Sequence, residues 1–305
     1  MTALALQQGR VDFAALVARI RAEFPQLGFC RAILNDDGED HAVVILDDAR
    51  VFRFPRTAEC ASYAARERRL LEQLRHTSSL PMPEYRWVSV AGDFAGYPMI
   101  PGRPLSEALF AGLSRDVQEQ VLGEIGGFLA RLHRLPASLV TSQNTATGTA
   151  WSGADYVRRY RGRRERIAST LPRKLLVRID RFFESLPEIV DRAPPVLIHG
   201  DLSEDHILLA PHGDRLGGVI DFTDAGVGDP AFDFTFLWAY GDWGPACAAL
   251  AYGGGDATSE IVARSRWWFI RYSIDRIWWN LSGARPCDTA KVEGDIRRSL
   301  DALDL

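Results

Sequence analysis

The chain has 305 residues, 47% hydrophobic and 25% charged, a globular composition that excludes disordered and fibrous classes. A formal net charge of −4 gives no basic field for a nucleic-acid partner, and no run approaches the roughly 20 uncharged apolar residues of a membrane span. Cys30, Cys60, Cys247 and Cys287 have no C-x-x-C spacing, which argues against a zinc site or a disulfide framework and fits a reducing cytoplasm.

The length allows two lobes around a cleft. Residues 1–20 have an apolar flavour, but Asp12 and two arginines interrupt it and no cleavage site follows, so the segment reads as an amphipathic helix. Phe13, Leu16, Val17 and Ile20 carry the helical spacing over 11–23. Three strand-like runs follow, at 31–34, 41–46 and 50–54. The turn signals Asn35-Asp36-Asp37-Gly38 and Asp47-Asp48 separate them, which predicts an antiparallel meander. Residues 57–75 read as a helix stopped by Leu80-Pro81-Met82-Pro83, with further strand-like stretches near 85–91 and 94–100.

Pro101, Gly102 and Pro104 mark a linker, dividing a first lobe of strands plus helix (1–100) from a mostly helical second lobe (101–305). Helical patterns cover 114–134 and two stretches of 153–191. A hairpin of 207–209 and 216–220 turns at Pro211-His212-Gly213-Asp214, and helix returns beyond 230, with a loop at Gly253-Gly254-Gly255.

The segment 196–233 packs His, Asp and Gly at the ends of apolar strands, where chemistry concentrates. Asp201 follows the strand Val196-Leu197-Ile198, His206 opens the next strand, and Asp221 closes the hairpin. Folding the hairpin back brings the three to one end. That suits phosphoryl transfer, in which one Asp orients the hydroxyl and takes its proton while a second Asp and a polar residue hold magnesium.

His199-Gly200-Asp201, His206 and Ile220-Asp221-Phe222 resemble the catalytic loop and magnesium motif of the aminoglycoside phosphotransferases, relatives of protein kinases. Asp205-His206-Ile207-Leu208 is similar to the aminoglycoside 2″-phosphotransferase branch, which has His where most of the superfamily has Asn. Val51 to Arg56 resembles the third-strand motif with Arg53 in place of lysine, and Glu67 follows at the branch's spacing. Leu80 to Leu105 and Gly127 to His133 extend the likeness to about residues 30–240.

The resemblance implies an α+β, protein-kinase-like two-lobed fold, with Asp201 as base and His206 and Asp221 as magnesium ligands. It makes Arg53 with Glu67 the phosphate clamp, and Tyr97, Met99 and Ile100 the rim of the base pocket, Tyr97 being the gatekeeper. GTP or ATP donates the phosphoryl group to a hydroxyl of an aminoglycoside antibiotic, giving resistance, in a cytoplasmic monomer. The nucleotide loop falls at Asn35 to Asp40 by position alone.

Rival readings stay open. The alternative for Arg53 with Glu67 is a plain surface ion pair, and for Tyr97 packing against the helix bearing Glu67. The aromatic run from Trp267 to Trp279 reads as core, with a substrate platform including Trp278 as the alternative. Asp242 is the one acid in Phe234 to Trp243, which keeps a macrolide acceptor, or another small molecule, alive. The arginines between 158 and 166 read as a solvated helix face, and Asp224, Asp229 and Asp233 as braces. A pseudokinase-like nucleotide-binding module without transfer is the reading from another class.

Overall fold

Asp12 opens the first helix, α1 (Phe13–Glu23), by accepting the Ala15 amide at 3.0 Å, and leaves Leu16 and Ile20 buried. The computed structural model describes residues 11–38, 40–140 and 152–305; the first ten residues of the expected N-terminal helix, and Glu39 of the nucleotide loop, lie outside it. Strands β1 (Ala32–Asn35), β2 (His41–Leu46) and β3 (Arg50–Pro55) form the expected meander. Helix α2 (Ala58–Arg75), capped by Thr57, and strands β4 (Trp87–Val88) and β5 (Ala95–Pro98) follow. The sheet is antiparallel, in the order β1-β2-β3-β5-β4.

Alternation along the strands sorts its two faces. Ala42, Val44, Leu46, Phe52 and Phe54 pack with Phe94 and with Leu16, Ile20 and Phe24 as a small core. The opposite face carries His41, Val43 opposite Arg53, Ile45 opposite Val51, and Tyr97 opposite Val51. Arg53 shows that this face looks toward the second lobe, because it reaches Asp221 across the cleft. The stretch expected as strand over 85–91 shortens to Trp87–Val88, because the chain turns back after Ser89, whose carbonyl accepts the Gly92 amide and whose hydroxyl accepts the Asp93 and Phe94 amides.

The second lobe holds β6 (Arg103–Pro104), α3 (Glu107–Ala111), α4 (Arg115–Leu132), α5 (Gly153–Ala168) and α6 (Arg173–Val190). Then come β7 (Val196–Ile198), β8 (Ile207–Leu209), β9 (Leu216–Val219) and β10 (Gly226–Gly228). A 3₁₀ segment, Pro230–Tyr240, leads to α7 (Gly244–Tyr252), α8 (Gly255–Ser282) and α9 (Thr289–Asp301). The linker ends in a strand, since Arg103 and Pro104 pair with β8. Gly254 caps α8 with φ 65°, and Gly255 already belongs to the helix rather than to the expected loop.

Strand β10 pairs with β7, and its two glycines carry no strand signal. The large core runs through α4, α6 and α8 and takes in Leu70, Leu71 and Leu74 of α2, so the helix bearing Glu67 is anchored to the second lobe. Gly126 lets α4 approach α7 closely, because a Cβ there would collide with the Ala248 carbonyl. Among the described residues no helix is long and apolar enough to cross a membrane.

Candidate active site

The buried strand β7 delivers His199-Gly200-Asp201 into the cleft, and a fully buried carboxylate holds this turn. Asp233 Oδ2 accepts the His199 amide (2.7 Å) and lies 3.0 Å from His133 Nε2, while Oδ1 accepts the Gly200 amide (2.9 Å). Gly200 has φ 83°, and a Cβ there would be driven into the Asp224 carbonyl, so glycine is required twice over. The His199 ring spans loop and hairpin: Nδ1 accepts the Asp201 amide at 3.3 Å, so Nε2 carries the hydrogen donated to the Ile220 carbonyl at 3.2 Å. Burial lowers the pKa of His199 to about 4 and keeps it neutral.

Asp201, half-exposed, has its pKa raised by burial, which strengthens it as a base. His206 Nδ1 lies 2.7 Å from the Asp201 carbonyl oxygen and 3.3 Å from its carboxylate, so Nδ1 carries the hydrogen. That leaves Nε2 with its lone pair, 3.8 Å from Asp221 Oδ2. Asp221 sits at φ 59°, a conformation a non-glycine residue adopts under constraint. Burial works against its charge, but Arg53 and the Thr223 hydroxyl hold the carboxyl well below the usual range. Its Oδ1 is used by Arg53 (2.9 Å) and the Thr223 hydroxyl (2.7 Å), and Oδ2 is the oxygen turned to His206. An ionised oxygen and an imidazole lone pair facing one gap form a donor pair that fits a divalent cation completed by phosphate and water.

Arg53 is 6% exposed and fully engaged, which removes the surface-pair reading. Nη1 lies 3.0 Å from both Glu67 oxygens and 3.3 Å from the Tyr85 hydroxyl. Nη2 reaches Asp221, the Thr223 hydroxyl (2.8 Å) and His41 Nδ1 (3.2 Å). Glu67 also accepts the Phe222 amide (3.2 Å) and the Tyr85 hydroxyl (3.0 Å). Burial raises its pKa, yet every contact is a donor, so the carboxylate stays ionised and the pair stays charged. Tyr97, buried, meets Tyr85 edge-on with ring centroids 5.1 Å apart, beside this cluster. The Met99 amide is committed to the Ala49 carbonyl at 2.8 Å, and Ile100 lies against Gly218 of β9.

Residues 32–268 match the family model described as the phosphotransferase enzyme family, which covers most of the chain. The chain belongs to the phosphotransferase enzyme family. It is a small-molecule kinase with the kinase-like fold of that family. A relative in Bacillus subtilis (strain 168), the uncharacterized protein YcbJ, is 28% identical over 218 residues, 67% of this chain and 68% of its own. The GDP complex of wild-type aminoglycoside 2′-phosphotransferase-IIIa superposes with a TM-score of 0.75 at 22% identity, covering 96% of this chain and 98% of the other. Macrolide 2′-phosphotransferase MphH from Brachybacterium faecium gives 0.63 at 23% identity, covering 95% and 98%.

Within this phosphotransferase the two acceptor-side residues expected from sequence do not come together. Asp242 is exposed and acts on Arg266, whose guanidinium stacks 4.0 Å over Trp238. Trp278 lies under Arg163 and Arg166 of α5, with centroid distances of 4.8 and 5.2 Å, on the flank of α8 that packs against α5. The charges that reach Asp201 from this region belong instead to Arg285, and Tyr272 senses both. The i, i+4, i+7 spacing of Tyr272, Arg276 and Trp279 was the signal that could have found this face.

The braces behave unequally. Asp229 caps Ala231 and accepts from Arg264 and the Trp268 indole (2.9 Å), whereas Asp224 extends an exposed carboxyl toward the catalytic acids. The surrounding protein, and then Asp201, Asp221 and Asp40, raise its pKa to about 6. Trp267 and Trp268 are core, as expected. Several of the α5 arginines are neutralised locally, Arg158 by Asp155, Arg163 by Asp275 and Arg164 by Asp180.

Proposed function

We propose that the chain transfers the γ-phosphoryl group of GTP or ATP to a hydroxyl of a small molecule of the antibiotic class, with Asp201 as the catalytic residue. One observation carries this reading: Asp201, His206 and Asp221 converge at the cleft with hydrogen bonding that leaves His206 Nε2 and Asp221 Oδ2 free to face the same gap. Asp201 orients the acceptor hydroxyl and takes its proton as the oxygen attacks phosphorus and the bond to the nucleoside diphosphate breaks. Magnesium, held by His206 and Asp221, would supply neutralisation of the phosphate charge. Arg53, fixed by Glu67, adds fixed positive charge at the same place, and the cleft face of the sheet with Tyr97, Met99 and Ile100 receives the base.

The aminoglycoside acceptor expected from sequence calls for a pocket lined by carboxylates. The macrolide reading draws support from an aromatic row, in which Phe236, Tyr272 and Trp279 follow one another with centroid distances of 4.7 and 5.8 Å. The test is incubation of the purified chain with magnesium, GTP or ATP, and a panel of aminoglycosides and macrolides, with ³¹P NMR of the product. A phosphate monoester on one acceptor is the expected result. Absence of transfer with every acceptor and every divalent metal would leave a nucleotide-binding module.

A further inference from the structure

The acceptor side of the cleft is built from one face of α8 and the loop after it. Tyr272, Arg276 and Trp279 stand at i, i+4 and i+7 and therefore share a face. The Tyr272 and Trp279 rings lie 5.8 Å apart, and Arg285, exposed just beyond the helix, stacks its guanidinium 5.6 Å from the Trp279 centroid. Tyr272 also meets Phe236 edge-on at 4.7 Å, and Arg276, Asp201 and Arg285 all act on its hydroxyl, which puts this face within electrostatic reach of Asp201.

Neither arginine is held in a close ion pair among the described residues, although Arg276 acts on Asp295 and Arg285 on Asp201 over a longer distance. Asp275 is taken by Arg163 and Arg271 at 2.9 Å each, and Asp295 by Arg298 at 2.5 Å. No ion pair among the described residues engages Arg276 or Arg285, in a chain where most neighbouring arginines are paired. The acids coupled to Asp201, namely Asp205 and Asp224, stand on the catalytic loop and just after the hairpin rather than on α8. Two guanidiniums outside any ion pair among the described residues, one of them stacked on Trp279, form a surface that attracts an anionic oxygen group and a flat apolar body, and that repels ammonium groups.

We infer that the acceptor is a hydroxyl compound carrying an anionic group, gripped by Arg276 and Arg285 while its apolar body lies on Tyr272 and Trp279. The inference rests on the kinase reading for the position of the acceptor beside Asp201, and it narrows the substrate class to one that a polyamine does not satisfy.

A matched series isolates the charge: 4-(hydroxymethyl)benzoate, 1,4-benzenedimethanol and 4-(hydroxymethyl)benzylamine have the same ring and hydroxyl with charge −1, 0 and +1. Ligand-observed NMR titration of the full chain, with GDP and magnesium present, is expected to give a dissociation constant for the carboxylate roughly tenfold below that of the amine, as partly exposed ion pairs allow. Arg285→Glu, on an exposed loop, is expected to invert the order, and Arg276→Gln with Arg285→Gln to abolish it, with unchanged GDP affinity and circular dichroism. Equal or tighter binding of the amine by the wild type overturns the inference. So does a carboxylate preference that survives in the folded double variant, or a change confined to GDP affinity. Transfer from GTP or ATP to each compound is scored separately. A charge preference without transfer sinks the kinase reading alone, and transfer that favours the amine sinks the inference alone.

Discussion

Arg53 Nη1 sits 3.0 Å from each carboxylate oxygen of Glu67, with the two side chains 7% and 0% exposed. The pair is thus withdrawn from water while the other amino group of the same guanidinium crosses the cleft to Asp221 at 2.9 Å. Removing the cation strands a buried carboxylate, so Arg53→Ala is expected to lose about 3–5 kcal/mol of stability in urea unfolding. Arg53→Lys keeps the charge but has one nitrogen for partners on two sides, and it is expected to fall between alanine and wild type. Wild-type stability of Arg53→Ala would mean that the pair does not organise the cleft.

Asp201→Asn keeps the shape of the carboxylate and removes its basicity. We expect the fold and nucleotide binding to persist while kcat falls by at least about 10²-fold. Asp221→Ala is expected to abolish magnesium-dependent transfer, whereas His206→Asn, the commoner residue of the superfamily, retains a measurable fraction. Steady-state kinetics across magnesium concentrations separates these cases. Full activity of either aspartate variant removes that residue from the mechanism.

Tyr97 is buried against Tyr85 near the end of β5, the position we propose for a gatekeeper that limits the depth of the base pocket. GTP is expected to serve as well as or better than ATP. Tyr97→Ala should raise kcat/KM for ATP more than for GTP, because a steric block acts on one base selectively. A strong ATP preference in the wild type, or an equal change for both nucleotides, would assign Tyr97 to packing alone.

His41 and His199, 4% and 0% exposed, have pKa values lowered from 6.5 to about 3 and about 4, first by burial. Their unfolded forms bind protons that the folded forms refuse, so their stabilisation is complete above about pH 6.5 and is lost as pH falls toward 4, at up to about 1.4 kcal/mol per pH unit for each. Asp224 acts in the opposite sense. Its pKa, raised from 3.8 to about 6, makes stability fall as pH rises through that window, but its exposure weakens the effect. Urea unfolding at pH 7, 6 and 5 is expected to show declining stability, less steeply in His199→Gln and more steeply in Asp224→Asn. A flat profile would mean that both imidazoles reach water.

The sequence by itself determined the meander, the hairpin and the motif residues Asp201, His206 and Asp221, because short loops at strand ends tie these groups to local backbone. The spacing of Arg53 and Glu67 was legible for the same reason, one on a strand and one on the next helix, 14 residues apart. What joins the lobes was not. Arg53 meets Asp221 across 168 positions and the Phe222 amide meets Glu67 across 155, and within the second lobe His133 meets Asp233 across 100. Those partners are chosen by which faces the two cores bury, and a carboxylate in a sequence does not say which amide it will accept. The same holds on the acceptor side. Trp278 and Trp279 are neighbours in sequence; helical spacing already sets the second beside Tyr272, but only the rotation of α8 against α5 turned the first under Arg163.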